Sequence, residues 1–295
     1  MTAGKIVAGV DGSEPALDAA RWAAREAAGR GADLLLVHAF DVAGLYTDAA
    51  IASLLEDVEA TMRDESAEIL DRARSAAAEA APGIAIDVRR DREAPAPALV
   101  TESGDALLVV IGSAGRGALG TALGSVSLAV ASHAGCPVVV VRGAVAADGP
   151  IVVGVDGGPL SDTALAHAFA AASRHDAPLV AVHVWSDADT QRAHLGTLFA
   201  ASPWETMRDA EERALAERLA GWSQRYPDVA VTRRIGRADP ARALVEASAG
   251  ARGVVVATRG RGGFSGLLLG STGLALIQHA EAPVMLVGPH SAPVP

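Results

Sequence analysis

Short apolar runs alternate with longer amphipathic segments along the first half of the chain. The run 6–10 is apolar and rich in β-branched residues, which is typical of a strand buried on both faces. Ser13 can cap the helix that follows, with Pro15 in its first turn. The same patterns predict further strands at 34–37, 84–88, 107–111 and 138–141, and short helices at 95–103 and 125–134. Strands separated by helices imply right-handed crossovers and therefore a parallel sheet.

A long amphipathic helix is predicted between the second and third strands. Pro82-Gly83 marks its end, because proline and glycine both interrupt helices. Its apolar stripe consists of Ile51, Leu55, Val58, Met62 and Ile69.

The chain contains an internal repeat. The segment Ile-Val-Ala-Gly-Val-Asp-Gly at 6–12 returns as Ile-Val-Val-Gly-Val-Asp-Gly at 151–157, an offset of 145 residues. The same offset takes His38 to His183, and it becomes 146 where Gly124 matches Gly270. We therefore predict two tandem α/β domains, at 1–142 and 150–295, joined by a linker of small residues at 143–149.

Composition and charge narrow the class of protein. Half of the 295 residues are hydrophobic and a fifth are charged, as in a soluble globular protein, and the formal net charge is -10. Such a surface repels phosphate backbones, so we expect no nucleic-acid partner. No apolar run approaches the ~20 residues of a membrane span, and the amino terminus lacks the pattern of a secretory leader. We therefore expect a cytoplasmic protein that has no membrane partner.

Cysteine and histidine usage argues against a disulfide or a metal site. Cys136 is the only cysteine, and its place before an apolar strand predicts a buried, inert thiol. The eight histidines show no metal-ligand spacing. We therefore predict no metal centre built from these residue types.

A glycine-rich loop follows the fourth strand of each half. It reads Gly-Ser-Ala-Gly-Arg-Gly at 112–117 before Gly124-Ser125, and Ala-Thr-Arg-Gly-Arg-Gly at 257–262 before Gly270-Ser271. Glycines let backbone N–H groups approach a ligand, and a helix that begins at the serine offers unpaired N–H groups and a positive dipole end. A flexible loop without a ligand is the alternative, but the repetition favours a phosphate cradle. The loop is neither a Walker A motif nor a Rossmann fingerprint.

These features together resemble the universal stress proteins, in particular the tandem forms of mycobacteria and related actinobacteria. The resemblance covers nearly the whole chain. It rests on Gly-Val-Asp-Gly at the end of the first strand, Val-His closing the second, and the ATP-binding pattern G-x2-G-x9-G-[S/T]. It implies two tandem adenine-nucleotide α-hydrolase-like domains, each a five-stranded parallel sheet flanked by helices. It also implies that ATP, with or without Mg²⁺, lies across the carboxyl ends of the first and fourth strands.

The resemblance assigns nucleotide-binding roles to three groups of residues, and it assigns no catalytic residue. The end of the first strand meets the ribose and adenine region through Gly9, Asp11, Gly154 and Asp156. The end of the second strand offers backbone groups of Ala39 and Val184 to the adenine edge, and Asp187 or Asp189 can reach the ribose. The loops and first helical turns that hold the phosphates contain Gly112, Ser113, Gly115, Arg116, Gly117, Gly124, Ser125, Val126, Ala257, Arg259, Gly260, Arg261, Gly262, Gly270, Ser271 and Thr272.

Both halves depart from the family pattern. The first has eight residues between Gly115 and Gly124, where the pattern has nine. The second has nine but begins with Ala257 in place of glycine. A shortened loop shifts its N–H groups, whereas the alanine adds one methyl group near the ligand. We therefore expect the second site to bind at least as well as the first.

Several of these residues also have a purely structural interpretation. Asp11 and Asp156 are of a type that caps turns. His38 and His183 end buried strands, which favours hydrogen-bonded structural histidines. The loop arginines can be solvated charges. The carboxylate pairs Asp64-Glu65 and Glu211-Glu212 are predicted to be exposed on helices.

The fifth strands, at 138–141 and 284–287, bear on assembly. The resemblance implies that they are edge strands that pair domains, with further association into a homodimer. Core strands covered within their own domain are the alternative.

The sequence thus favours an ATP-binding regulator of stress response or growth. A nucleotide-free dimeric interaction scaffold is a second hypothesis, and a slow ATPase is a third. The glycine-rich loop contains no obvious general base, so we expect a binding protein rather than an enzyme.

Overall fold

The computed structural model describes residues 4–41, 52–113, 124–185, 204–260 and 269–291, except for the side chains of 52–59 and 204–207. The chain divides into two compact units, Met1–Arg142 and Gly143–Pro295. Each unit alternates strands and helices, as the sequence pattern predicts.

The described part of the first unit consists of five strands and four helices. They are β1 (Lys5–Gly9), α1 (Glu14–Arg30), β2 (Asp33–Ala39), α2 (Ala52–Ala80), β3 (Ile86–Asp91), α3 (Pro95–Glu102), β4 (Ala106–Gly112), α4 (Ser125–His133) and β5 (Val138–Val141).

The described part of the second unit repeats this succession. Its elements are β6 (Ile151–Gly154), α5 (Ser161–Arg174), β7 (Leu179–Trp185), α6 (Trp204–Arg225), β8 (Val231–Arg237), α7 (Pro240–Ser248), β9 (Gly253–Ala257), α8 (Ser271–His279) and β10 (Val284–Val287).

Both units use the same strand order. It is β3-β2-β1-β4-β5 in the first unit and β8-β7-β6-β9-β10 in the second. The described strand pairs within each unit are parallel, which confirms the predicted sheet. The order reverses between β1 and β4, and between β6 and β9. Ligands of open parallel sheets bind beyond the carboxyl ends of the strands at such a reversal.

Helix α1 shows how local signals and packing agree. Ser13 is its N-cap and accepts a hydrogen bond from the Ala16 N–H, as predicted, and the helix ends at Gly31, whose φ is 60°. Its buried positions form a row of alanines that lets the helix lie close to the strands and to α2. The fully buried members of that row are Ala19, Ala20, Ala23, Ala24 and Ala27.

The predicted position of the third strand is wrong by two to three residues. The strand covers Ile86–Asp91 rather than 84–88, and Arg89, Arg90 and Asp91 pair in register with the last three residues of β2. β3 is an end strand of its unit, and most of its side chains are exposed. Charged residues are therefore tolerated there, so the apolar pattern did not mark the strand.

Within the described residues, no helix is long and apolar enough to cross a membrane.

The buried thiol of Cys136 gives a prediction. Cys136 is 5% exposed, and burial raises its pKa from 9.0 to about 12. Only the thiolate reacts with disulfide reagents, and such a shift lowers the thiolate fraction at pH 8 by about three orders of magnitude. We therefore expect Ellman's reagent to modify the folded protein at least 100-fold more slowly than the protein in guanidinium chloride. Comparable rates in the two states would contradict the buried position.

Candidate functional site

The turn after β1 is held by the side chain of Asp11. Its Oδ1 accepts hydrogen bonds from the Ser13 N–H at 3.0 Å and from the Ser13 hydroxyl at 2.6 Å. Gly12 takes a φ of 83°, a conformation that glycine adopts at little cost. One carboxylate oxygen thus has the turn-capping role that Asp residues often take, and the carboxylate lies at the carboxyl end of the central strand.

The second unit builds the same turn with a different hydroxyl. Asp156 Oδ1 accepts from the Gly158 N–H at 2.8 Å and from the Ser161 hydroxyl at 2.8 Å. The helix that follows begins five residues after the aspartate, whereas α1 begins three residues after Asp11. The aspartate keeps its place in both units while the start of the next helix moves.

The histidines that close the second strands hold the same turns from the side. His38 Nδ1 lies 2.8 Å from the Val10 carbonyl oxygen, and His183 Nδ1 lies 2.6 Å from that of Val155. A carbonyl can only accept, so each Nδ1 carries a proton and donates it. The structure therefore supports the structural interpretation of these histidines.

Glu211 corrects one of our expectations. The sequence predicts a solvated surface charge, but Glu211 Oε2 lies 3.0 Å from His183 Nε2, and the side chain of Glu211 is 31% exposed. A neutral imidazole donates only one N–H, so both bonds of His183 need either two protons on the ring or one on the carboxyl group. The first unit has Ser66 at the position of Glu211 by the repeat offset. This difference was the sequence signal that could have revealed the pair.

The helices after the fourth strands begin without a side-chain cap. The N-cap residues are Gly124 for α4 and Gly270 for α8, and no described side chain accepts a capping hydrogen bond at either helix start. The N–H of Gly270 donates to the Thr258 carbonyl at 2.7 Å, which ties the start of α8 to the end of β9. The uncapped N–H groups and the dipole of such a helix end favour an anion.

In the second unit the glycine-rich loop meets the first-strand aspartate. A Cβ atom built on Gly260 would overlap Asp156 Oδ2. Only glycine therefore fits at this point of the loop without displacing the carboxylate. Two sequence-predicted groups, Asp156 and the glycine-rich loop, are thus brought together at the carboxyl edge of the sheet.

Three other glycines of the predicted site have a packing role. A Cβ on Gly9 would lie 2.8 Å from Leu99 of α3, and one on Gly154 would lie 2.9 Å from Leu244 of α7. A Cβ on Gly112 would lie 2.7 Å from the backbone of Pro15 in α1. These glycines allow helices to approach the sheet. The sequence analysis gave them a role in ligand binding and did not predict this packing role.

The packing of Gly112 explains why the second unit tolerates Ala257 at the matching position. We expected this methyl group to be near the ligand. In the first unit, however, a Cβ atom on Gly112 would point at the first turn of α1. In the second unit the helix begins later, and Leu160, which matches Pro15 by the repeat offset, is the N-cap of α5 rather than part of its first turn. We attribute the glycine-to-alanine difference to this change in helix start.

The remaining predicted residues divide into described and undescribed positions. Ala39 and Val184 lie at the ends of β2 and β7 and are half-buried, and Arg259 is exposed beside Gly260. Ser125, Val126, Ser271 and Thr272 form the first turns of α4 and α8, and Ser113 follows β4. Gly115, Arg116, Gly117, Asp187, Asp189, Arg261 and Gly262 lie outside the described residues.

The described residues contain no cluster of three or more His, Cys, Asp or Glu side chains that could hold a metal ion.

Gly112 provides a test of the packing explanation. We expect Gly112→Ala to lower the free energy of unfolding by about 1–3 kcal/mol, because its Cβ meets helix backbone that cannot move independently. Urea denaturation followed by circular dichroism measures this. Gly104→Ala is the matched control, since its Cβ would lie 3.5 Å from its nearest neighbour. Equal stabilities of the two variants would refute the explanation.

Comparison with known proteins agrees with the fold and with the motifs. The model of the universal stress protein family matches residues 2–142 and 149–288. A universal stress protein of Mycolicibacterium smegmatis is 39% identical over 293 residues, which cover 96% of this chain and 97% of that protein. The crystal structure of a universal stress protein from Archaeoglobus fulgidus DSM 4304 has a TM-score of 0.70 at 19% identity and covers 98% of this chain and 99% of that one.

A shorter protein of the same family has been solved with a nucleotide. The universal stress protein from Archaeoglobus fulgidus in complex with dAMP is 29% identical, with a TM-score of 0.35, and it covers 47% of this chain and 97% of that one. The family model matches each half of the present chain over nearly all of its length. The chain therefore belongs to the universal stress protein family, with two tandem domains of that type.

Proposed function

We propose that this chain binds ATP at the carboxyl edge of each sheet and acts as a nucleotide-dependent regulator of stress response or growth. The observation that carries the proposal is the contact of Gly260 with Asp156 in the second unit. It brings the carboxylate assigned to the ribose side next to the loop assigned to the phosphates.

The local chemistry at this edge suits a nucleotide. The uncapped start of α8 offers backbone N–H donors and a positive dipole end to phosphate oxygens. Carboxylates such as Asp156 are suitable acceptors for ribose hydroxyls. The half-buried end of β7 at Val184 supports a position for the adenine edge.

The first unit shares this arrangement at Asp11 and at the uncapped start of α4. We therefore propose two nucleotide sites per chain, of which the second binds at least as tightly because its loop has the full family length. Mg²⁺ bound with the ATP phosphates and assembly into a homodimer are further parts of the proposal, which the family resemblance implies.

Calorimetric titration of nucleotide-stripped protein with ATP tests the proposal. We expect two sites per wild-type chain. We expect the double substitution Gly270→Ala, Ser271→Ala to remove one of them, with at least a tenfold loss of affinity, which corresponds to about 1.4 kcal/mol. The added methyl group stands at the helix end where the phosphates would bind. Its nearest neighbour would be the Thr258 carbonyl at 3.4 Å, so the fold can accept it.

Two further variants complete the design. Gly124→Ala, Ser125→Ala is the matched change in the first unit and should remove the other site. Gly221→Ala, at a glycine with no atom within 4 Å of its Cβ position, is the control and should leave both sites intact. Wild-type protein that binds no ATP, or ATP binding that both double variants retain, would refute the proposal.

A further inference from the structure

Helices α5 and α6 of the second unit flank an open cleft of about 530 Å³. This volume lies within the usual range of small-molecule sites, about 300–1,000 Å³. Val155 and Gly157 line one end of the cleft, and Trp222 of α6 lines another part. Among the described residues, neither 257–260 of the glycine-rich loop nor the first turn of α8 lines it. Val155 and Gly157 flank Asp156, so the cleft lies beside the proposed nucleotide site.

The matching helices of the first unit pack together instead. By the repeat offset, Ile69, Ala73 and Ala77 of α2 match Ala214, Arg218 and Trp222 of α6. The three residues of α2 are 5%, 0% and 0% exposed, and a Cβ on Gly12 would lie 2.9 Å from Ile69. Exchange of the isoleucine for alanine and of an alanine for arginine opens this interface in the second unit.

An aromatic cluster holds the two helices of the second unit apart. Phe169 of α5 stacks on Trp222 and Tyr226, with ring centroids 6.1 Å and 5.8 Å away. The residues at the matching positions of the first unit are Ala24, Ala77 and Ala81, which are all buried. Rings in place of methyl groups increase the spacing of two packed helices, so the cleft is a consequence of side-chain volume.

The charged groups that line the cleft are mostly acidic. Asp162 of α5 and Glu211 and Glu217 of α6 face Arg218 of α6 and His183 of β7. The bond between His183 and Glu211 needs a second proton on the ring or one on the carboxyl group, so the cleft carries a formal charge of −1 in either case.

The pairings within the cleft leave acceptor capacity for a ligand. Arg218 Nη1 is buried without a hydrogen-bond partner among the described residues and lies 3.6 Å from Asp162 Oδ1, within ion-pair distance. The carboxylate of Asp162 is largely exposed, and Glu211 Oε2 contacts His183. The apolar part of the cleft wall consists of Leu215 and the ring of Trp222.

We propose that this cleft is a second ligand site, specific to the second unit, for a small organic cation that carries an amine or guanidinium group at each end of a short apolar chain. The carboxylates accept the N–H groups, and Leu215 and Trp222 contact the chain. The site is independent of nucleotide binding in its chemistry, and its failure would leave the ATP proposal untouched.

Agmatine, a four-carbon chain with a guanidinium and an amine at its ends, is the probe. Titration calorimetry without nucleotide at about 0.15 M NaCl, where exposed charges are screened beyond ~8 Å, should give one site per chain. We expect Asp162→Asn, Glu217→Gln to weaken binding at least tenfold. Ala214→Ile, which restores the residue of the first unit, should abolish binding because it refills the space opposite Gly157.

Glu212→Gln is the matched control, since Glu212 neighbours Glu211 on α6 but does not line the cleft. It should leave the affinity unchanged, and 4-guanidinobutyrate, which has a carboxylate in place of the amine, should bind at least tenfold more weakly than agmatine. The proposal is wrong if agmatine does not bind at millimolar concentration. It is also wrong if Glu212→Gln weakens binding as much as the cleft variants do, or if the anionic analogue binds better.

Discussion

One carboxylate at the end of each first strand fixes the geometry of the carboxyl edge. Asp11 and Asp156 each accept two hydrogen bonds from the turn that follows, and glycine with positive φ makes that turn possible. The carbonyl just before each aspartate is held by a histidine of the neighbouring strand. The central strand, the next helix and the second strand are therefore fixed to one point, and the glycine-rich loop of the second unit approaches that same point.

Much of this architecture follows from the sequence because parallel strands buried on both faces are continuous apolar runs. The strand at 138–141 was predicted with its observed limits, and Ser13 was predicted as a cap. β3 was misplaced because an end strand can be charged, so its pairing leaves no apolar signature. The pairing of Glu211 with His183 was missed because it depends on how α6 lies over β7. Only comparison of the two repeats, which places Ser66 opposite Glu211, distinguishes this carboxylate from a surface charge. The packing of Gly112 against α1 was missed because it too depends on how a helix lies over the sheet.

The two units have diverged in their helical layers more than at their strand ends. The strand order and the positions of the aspartate and the histidine are the same in both units, whereas the interface of the two large helices has alanines and isoleucine in the first unit and aromatic and charged residues in the second. A duplicated domain can change there because helix–helix spacing adjusts to side-chain volume while strand spacing is set by backbone hydrogen bonds. The second unit thereby has a charged cleft between its two large helices and keeps the aspartate turn at the end of its first strand.

The position of β1 between β2 and β4 has a consequence for biosynthesis. Ile6 pairs with Leu34 on one side and with Leu108 on the other. The second neighbour of the central strand is therefore synthesised about a hundred residues after the central strand itself. The near-identical segment at 151–157 could take the place of 6–12 if both were unfolded together, as repeats are prone to swap. Synthesis from the amino terminus removes that competition, because the first sheet is complete at Val141 before the rival strand leaves the ribosome.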